Sequence, residues 1–139
     1  MSRWSRVSGL SILVVDDDRE IRTLLLEFLR DLDHRVVVAA SGLEAVEAVN
    51  THGALFNLAI VDWQMAGITG RDVINHIRTE SPETYIFVAT GHNAQEVSDA
   101  YAGPVVDHIL RKPFSLRSLA KEVSRITAKR ARDAERDET

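Results

Sequence analysis

The sequence predicts an α/β fold in which a parallel sheet of five strands packs against helices. Short apolar runs alternate with segments of helical period five times along the chain, which is the pattern of a parallel sheet with crossover helices. Most of the runs consist of Val, Ile, Leu and Ala, a composition typical of strands covered on both faces. At 139 residues and 45% hydrophobic content, the chain is long enough for one domain with one core.

The strands are predicted at residues 11–15, 35–40, 58–61, 85–89 and 105–110. The helix after the first strand is marked by an apolar stripe at positions 21, 24, 25, 28, 29 and 32, and a stripe with this spacing has to lie on the sheet. The fourth helix, at about 93–102, offers few apolar residues. We therefore expect it to be the least stable helix.

Capping residues mark the starts of the other helices. Ser41 with Glu44, and Thr69 with Asp72, have the spacing of capping boxes and begin the second and third helices. The fifth helix follows Ser115 and carries its apolar residues on one face. Both ends of the chain lie outside this pattern.

We expect residues 1–9 to be an N-terminal extension and residues 10–127 to form the folded domain. Residues 128–139 mix acidic and basic side chains and contain no large apolar one. This composition indicates either an extension of the fifth helix into solvent or a disordered tail.

Composition excludes several classes of function. There is no cysteine, which rules out disulfides, thiolate metal sites and a cysteine nucleophile and is compatible with a reducing compartment. The chain has 17 Lys and Arg against 21 Asp and Glu, a net charge of −4, whereas direct binding of nucleic acid needs a basic surface. It has neither an apolar segment of membrane-spanning length nor the features of a signal peptide. We expect a cytoplasmic protein without membrane contact.

Polar side chains follow four of the predicted strands. Asp16 and Asp17 follow the first strand, Asp62 the third, Thr90 the fourth and Lys112 the fifth. In open parallel sheets, ligands bind outside the carboxyl ends of the strands. The sequence therefore predicts that these side chains meet in one site.

Three carboxylates in one crevice repel each other unless a cation lies among them. The available ligands are oxygens, which favours a hard ion such as Mg²⁺. Thr90 and Lys112 supply a hydroxyl and a positive charge that suit the oxygens of a phosphoryl group. A carboxylate beside them can act as a nucleophile and form an aspartyl phosphate. Asp62 is the better candidate for this nucleophile, while Asp16 and Asp17 suit the metal.

Each residue also has a simpler interpretation when taken alone. Asp18, or the acidic pair before it, can be a plain N-cap of the following helix. Asp62 can begin a turn, Thr90 can be an ordinary hydroxyl at a strand end, and Lys112 a solvated surface lysine. The joint pattern at four separate strand ends favours a functional site.

The chain resembles the receiver domain of bacterial two-component response regulators. The resemblance extends from about residue 10 to residue 126 and rests on four motifs in order. They are Ile-Leu-Val-Val-Asp-Asp-Asp at 12–18, Ala-Ile-Val-Asp-Trp-Gln-Met at 59–65 with Gly67 and Gly70, Val-Ala-Thr-Gly at 88–91, and Leu-Arg-Lys-Pro-Phe at 110–114. The resemblance implies a flavodoxin-like, doubly wound sheet of strand order 2-1-3-4-5 with helices on both faces.

The resemblance also implies a role for each site residue. Asp62 corresponds to the phosphoacceptor, and Asp16 and Asp17 to the acidic pair that binds Mg²⁺. The metal would also be held by Asp62 and by the backbone carbonyl of Gln64. Thr90 and Lys112 correspond to the hydroxyl and the lysine that contact the phosphoryl group.

At four positions the family pattern bears on geometry and regulation. Pro113 corresponds to the family's cis proline. Gln64 and His92 occupy the positions that tune dephosphorylation. The family's usual switch aromatic stands three residues before the lysine, where this chain has Ile109, so the usual coupled movement of hydroxyl and ring cannot operate as in the common pattern.

The resemblance implies a signalling switch rather than an enzyme with a separate substrate. The phosphoryl donor would be a sensor histidine kinase or a histidine phosphotransfer protein. The output would pass to a downstream protein target or to a missing output domain, and the face of the fourth helix, fifth strand and fifth helix could also form a homodimer.

Two other functions are kept as alternatives. The first is an interaction module on the same fold that works without phosphorylation. The second is a phosphohydrolase of the haloacid dehalogenase type, whose signature Asp16 and Asp18 match in spacing while Glu20 stands where that signature needs Thr.

Overall fold

The computed structural model describes residues 9–52, 55–91, 94–100 and 106–138, over which five strands alternate with five helices. The strands form one parallel sheet of order β2-β1-β3-β4-β5, so the predicted fold class and strand order are confirmed. None of the helices in these ranges is long and apolar enough to cross a membrane. In chain order the elements are β1 (Ser11–Val15), α1 (Arg19–Asp31), β2 (Arg35–Ala39), α2 (Gly42–His52), β3 (Leu58–Asp62), α3 (Gly70–Glu80), β4 (Tyr85–Thr90), α4 (Ala94–Ala100), β5 (His108–Arg111) and α5 (Leu116–Glu138).

Helices cover both faces of the sheet, because alternate residues of each strand point to opposite sides. On one face, strand residues pack with apolar residues of α1 and α5, such as Leu25 and Leu119. On the other face they pack with residues of α2, α3 and α4, such as Ala45 and Val97. The site edge is therefore supported by two separate core layers.

The central strand β3 is buried along its whole length, whereas β2 is not. Val37 is 41% exposed and Val38 is 37% exposed. The prediction of cover on both faces is wrong for β2, because this strand has a single neighbour and lies at the edge of the sheet. The apolar stripe of α1 is likewise wider than the surface it covers, since Leu24 is 49% exposed.

The fifth strand begins at His108, later than the predicted start at residue 105, which itself lies outside the described residues. The backbone N–H of Asp107 donates to the carbonyl of Ile86 at 2.8 Å. Its carboxylate accepts from the N–H of Ile86 at 2.7 Å. A side chain therefore takes the place of a backbone carbonyl just before the strand.

The later helices also differ in extent from the expectation. Helix α4 spans Ala94–Ala100, inside the predicted range 93–102, whose outer positions the structure does not describe. Helix α5 runs without interruption from Leu116 to Glu138, so residues 128–138 are helical. Its last buried apolar residue among those described is Ile126.

Candidate functional site

The carboxyl edge of the sheet brings together the polar residues that follow β1, β3, β4 and β5. Asp16 directly follows β1, Asp62 and Thr90 are the last residues of β3 and β4, and Lys112 directly follows β5. The carboxylates of Asp16, Asp17 and Asp62 each offer an oxygen within 4.8 Å of the others. The predicted convergence of these side chains is therefore present.

Asp16 is the most tightly held of the acids and is only 3% exposed. Its Oδ1 accepts a hydrogen bond from the N–H of Asp18 at 2.9 Å, and its Oδ2 accepts one from Lys112 Nζ at 2.9 Å. Its backbone carbonyl accepts from Nη1 of Arg22 at 2.8 Å. Asp17, by contrast, is exposed and makes no hydrogen bond or ion pair within the described part of the chain, so its carboxylate is free to bind a ligand.

Asp18 is the N-cap of α1. Its Oδ1 accepts hydrogen bonds from the backbone N–H groups of Glu20 at 2.9 Å and Ile21 at 3.3 Å, groups that a helix start otherwise leaves unpaired. The three consecutive acids therefore divide into one helix cap and two residues that face the site. The plain N-cap interpretation holds for Asp18 and does not extend to the pair before it.

Asp62 is buried, with 5% of the residue exposed. Its Oδ1 lies 3.3 Å from Lys112 Nζ and 3.4 Å from the backbone nitrogen of Gln64. Burial, reinforced by the negative charge of Asp16, raises the pKa of Asp62 to about 6, although Lys112 acts in the opposite direction. Near neutral pH the Asp62 carboxylate is ionised, but burial and the charge of Asp16 make this ionised form unfavourable. Binding of a cation at the site would relieve this.

Lys112 bridges the two buried carboxylates. Burial lowers the pKa of its ammonium, but the hydrogen bond and charge of Asp16, together with those of Asp62, outweigh burial and raise this pKa. Lys112 therefore stays charged. Three carboxylates against one ammonium leave an excess of two negative charges when all are ionised, which is the charge of one divalent cation.

The donor set fits Mg²⁺, because it consists of carboxylate oxygens and an adjacent loop that carries the Gln64 carbonyl. No other group of three or more acidic, His or Cys side chains with metal-binding spacing occurs among the residues described. The side chain of Gln64 is exposed.

Thr90 is 1% exposed, and its Oγ1 has no hydrogen-bond partner in the described part of the molecule. A buried hydroxyl without a partner is unfavourable and rare. The backbone of Thr90 is firmly held, since its carbonyl accepts from the N–H of Lys112 at 2.8 Å. A fixed backbone with an unpartnered hydroxyl at the site fits a residue that binds an oxyanion.

Two glycines allow the loop after β3 to lie close to the starts of α2 and α3. A Cβ on Gly70 would lie 2.3 Å from the carbonyl oxygen of Asp62, and one on Gly42 would lie 2.3 Å from that of Ile68. Both glycines directly follow the capping residues Ser41 and Thr69. A glycine at the first helical position is unusual, and this signal could have indicated a close backbone approach.

The remaining predicted residues are placed as follows. The Lys112–Pro113 peptide bond is cis, as the resemblance implied. Ile109 is partly buried and packs against the core layer of α2, α3 and α4. His92 lies outside the described residues. Arg22 was not predicted, because nothing in its helical position indicates a contact with the end of β1.

The chain matches the family described as response regulator receiver domain over residues 12–124. It is 35% identical over 116 residues to the transcriptional regulatory protein TcrA of Mycobacterium tuberculosis, a match that covers 82% of this chain and 44% of TcrA. The chain thus spans less than half the length of this relative.

Solved structures of receiver domain proteins are similar to this chain. A response regulator receiver protein from Sinorhizobium medicae has a TM-score of 0.76 and is 27% identical, with 86% of this chain and 95% of that one covered. A CheY-like receiver domain protein from Methanospirillum hungatei has a TM-score of 0.81 at 22% identity, with 90% and 98% covered. The second likeness bears on the fold alone.

Proposed function

This chain belongs to the response regulator receiver domain family, and on that premise we propose that it is switched by transfer of a phosphoryl group to Asp62. The observation that carries the proposal is the juxtaposition of a buried, ionisable Asp62 with Lys112 at 3.3 Å and, at the same sheet edge, with the buried hydroxyl of Thr90, which has no partner among the residues described. Each has a distinct use in phosphoryl transfer.

Transfer begins when a carboxylate oxygen of Asp62 attacks the phosphorus of a phosphohistidine or of a small phosphate donor. A bond from phosphorus to Asp62 forms, and the bond from phosphorus to the donor nitrogen or oxygen breaks, with its electron pair staying on the donor. Within the described part of the chain, both contacts of the Asp62 carboxylate use Oδ1, which supports Oδ2 as the attacking atom. The phosphoryl group is later lost by hydrolysis: water attacks the phosphorus, the bond from phosphorus to the Asp62 oxygen breaks, and the products are the Asp62 carboxylate and inorganic phosphate.

The other residues stabilise the transferred group. Mg²⁺, when bound by Asp16, Asp17, Asp62 and the Gln64 carbonyl, supplies positive charge to the phosphoryl oxygens. The ammonium of Lys112 leaves Asp62 and pairs with one of these oxygens. Thr90 donates its hydroxyl to another, which satisfies an otherwise unpartnered buried group.

This proposal also covers turnover and partners. The chain would transfer and lose a phosphoryl group by its own chemistry, with Gln64 and His92 affecting the hydrolytic water. The donor would be a histidine kinase or histidine phosphotransfer protein, and the output another protein or further domain. Ile109 would shift with α4 and β5 in place of an aromatic switch. Use of the α4, β5 and α5 face for a homodimer is part of the same proposal.

The site supports this function over the alternatives. A dehalogenase-type phosphohydrolase needs the acid at position 18 for catalysis, whereas Asp18 caps α1. The alternative of an interaction module independent of phosphorylation does not account for the buried carboxylate of Asp62, whose pKa is raised to about 6.

The proposal is tested by following the fluorescence of Trp63 during titration with Mg²⁺ and then with beryllofluoride, in a Trp4→Phe background that leaves Trp63 as the one tryptophan of the chain. Trp63 is adjacent to Asp62 in the chain and is 7% exposed. We expect two saturable changes in the wild type, of which the second is absent in Asp62→Asn and present in the control Asp31→Asn. Mass spectrometry after treatment with acetyl phosphate should show one added phosphoryl group in the wild type and in Asp31→Asn. Absence of the second change and of the mass increase in the wild type would favour the interaction module.

A further inference from the structure

Arg22 connects the first turn of α1 to the end of β1. Its Nη1 donates to the backbone carbonyl of Asp16 at 2.8 Å. The N–H of Asp16 is tied to the carbonyl of Ala39 at 3.2 Å, and its side chain is tied to Asp18 and Lys112. Every polar group of Asp16 therefore has a partner, and Arg22 supplies the one for the carbonyl.

The carbonyl that Arg22 holds belongs to the peptide group linking Asp16 to Asp17. Asp17 is exposed and its carboxylate has no partner of its own among the described residues. No contact within the described part of the chain holds this carboxylate, so its reach depends on the position of its backbone and on rotation about its side-chain bonds. An interaction that fixes the peptide group before Asp17 therefore limits where its carboxylate can reach.

The charge of Arg22 and its hydrogen bond to the Asp16 carbonyl are expected to have opposite effects on Mg²⁺ binding. A guanidinium near the three carboxylates repels an incoming divalent cation, so its removal should tighten binding of Mg²⁺ if only electrostatics mattered. If Arg22 acts by orienting the backbone, its removal should weaken binding. The two effects have opposite signs and can be separated by measurement.

We propose that Arg22 is a positioning residue for the metal site, which holds the peptide group between Asp16 and Asp17 so that the Asp17 carboxylate points toward Asp16 and Asp62. This inference rests on the proposed function, because it requires that the acidic cluster binds Mg²⁺. In this proposal Arg22 acts through its hydrogen bond to the Asp16 carbonyl and is a ligand of neither the ion nor the phosphoryl group.

The test compares Arg22→Met with Arg19→Met. Arg19 is the first residue of α1, is exposed, and makes no hydrogen bond or ion pair to the described residues, so its replacement removes the same charge from the same helical turn without removing a backbone contact. Arg22→Lys keeps the charge and loses the planar donor group. Urea unfolding of each variant in EDTA verifies that it is folded.

We expect the dissociation constant of Mg²⁺, measured by Trp63 fluorescence, to rise about tenfold in Arg22→Met. It should stay equal or fall in Arg19→Met and lie between wild type and Arg22→Met in Arg22→Lys. In EDTA, the backbone amide resonance of Asp17 should shift in both Arg22 variants and not in Arg19→Met. At saturating Mg²⁺, the rate of labelling by acetyl phosphate should return to near the wild-type value in Arg22→Met.

An unchanged or lower dissociation constant in Arg22→Met, with normal Mg²⁺ binding by the wild type, would overturn the inference and leave the proposed function intact. Equal weakening in Arg19→Met would overturn it as well. If Arg22→Met does not fold, Arg22→Lys decides by the same two readouts. Failure of the wild type to bind Mg²⁺ would instead contradict the proposed function.

Discussion

The side chains of Lys112 and Asp16 meet at 2.9 Å although 96 positions separate them in the chain. Lys112 also lies 3.3 Å from Asp62, so in the absence of a metal these two buried carboxylates share one ammonium. This sharing makes the stability of the domain sensitive to both the lysine and the metal.

Replacement of Lys112 by Met should lower the free energy of unfolding in EDTA by about 2 kcal/mol. This is below the usual loss for a fully buried pair, because Lys112 keeps some contact with solvent. Mg²⁺ should stabilise Lys112→Met more than it stabilises the wild type, since the metal supplies the missing positive charge. Urea unfolding with EDTA and with Mg²⁺ measures both effects, and Lys121→Met on the exposed side of α5 is the matched control. An equal gain from Mg²⁺ in variant and wild type would contradict this prediction.

The raised pKa of Asp62 predicts a pH dependence of stability. In the folded chain this carboxyl ionises with a pKa of about 6, whereas its ordinary value is 3.8. The unfolded chain therefore loses its proton first, so the unfolding free energy should fall as the pH rises from about 4 to 6 and then level off. With allowance for solvent screening, the fall is about 1 to 2 kcal/mol.

This dependence is measured by urea unfolding in EDTA at several pH values, with Asp62→Asn as the comparison. The variant should lack the decline that the wild type shows in this window, and above pH 6 it should be the more stable of the two. Parallel curves for the two proteins would show that Asp62 is not the group responsible.

Thr90 and Thr84 provide a matched pair of buried threonines at opposite ends of β4. Thr84 Oγ1 lies 2.6 Å from Ser81 Oγ and donates to the carbonyl of Phe56 at 2.8 Å, whereas Thr90 Oγ1 has no partner in the described part of the chain. Without ligands, Thr84→Val should lose about 1 to 3 kcal/mol, and Thr90→Val should lose nothing or gain up to about 1 kcal/mol.

In the presence of Mg²⁺, the response to beryllofluoride should be affected by the Thr90 substitution and not by the Thr84 substitution. The fluorescence response of Trp63 to beryllofluoride should be weakened in Thr90→Val, because the hydroxyl that binds the phosphoryl oxygens is gone, and should be retained in Thr84→Val if that variant is folded. A large loss of stability in metal-free Thr90→Val would show that its hydroxyl already has a partner.

Gly70→Ala should destabilise the chain and disturb the site. The added Cβ would lie 2.3 Å from the carbonyl oxygen of Asp62 and 2.8 Å from Cα of Trp63, so the backbone after β3 has to move, at a loss of about 1 to 3 kcal/mol. Gly91→Ala is the control, because a Cβ there meets no atom of the described residues within 4 Å. Urea unfolding and the emission maximum of Trp63 check both variants, and equal tolerance of the two substitutions would contradict the prediction.

Local patterns in the sequence predicted the elements that carry the site, because apolar runs and caps such as Thr69 with Asp72 act locally. The strand order, by contrast, was implied by the resemblance to the receiver family. The full capping box is present at the start of α3, with Asp72 N–H bonded to Thr69 Oγ1 and Thr69 N–H bonded to the Asp72 carboxylate. At the second helix only half of the predicted box is present: Ser41 Oγ accepts from the N–H of Glu44, whereas the Glu44 carboxylate accepts from the N–H of Ala40. Local patterns place a helix start but do not settle every partner.

Features that depend on the tertiary path were not predictable from such patterns. The contact of Arg22 with the Asp16 carbonyl requires the particular turn between β1 and α1. The exposure of Val37 and Val38 follows from the position of β2 in the sheet, since their composition is that of a buried strand. The start of β5 depends on the side chain of Asp107, which bonds to Ile86 on a neighbouring strand.

The helix from Leu116 to Glu138 is continuous, so a tilt at its first turn moves its far end more than its base. Its base directly follows the loop with Lys112, while the part beyond Ile126 extends about 18 Å, at 1.5 Å per residue. At 1.5 Å per residue the whole helix of 23 residues spans about 34 Å, so a tilt of about 10° at its base would displace the far end by about 6 Å, roughly four residues of rise. A small rotation of α5 at the sheet edge would therefore become a larger displacement at the opposite end of the molecule.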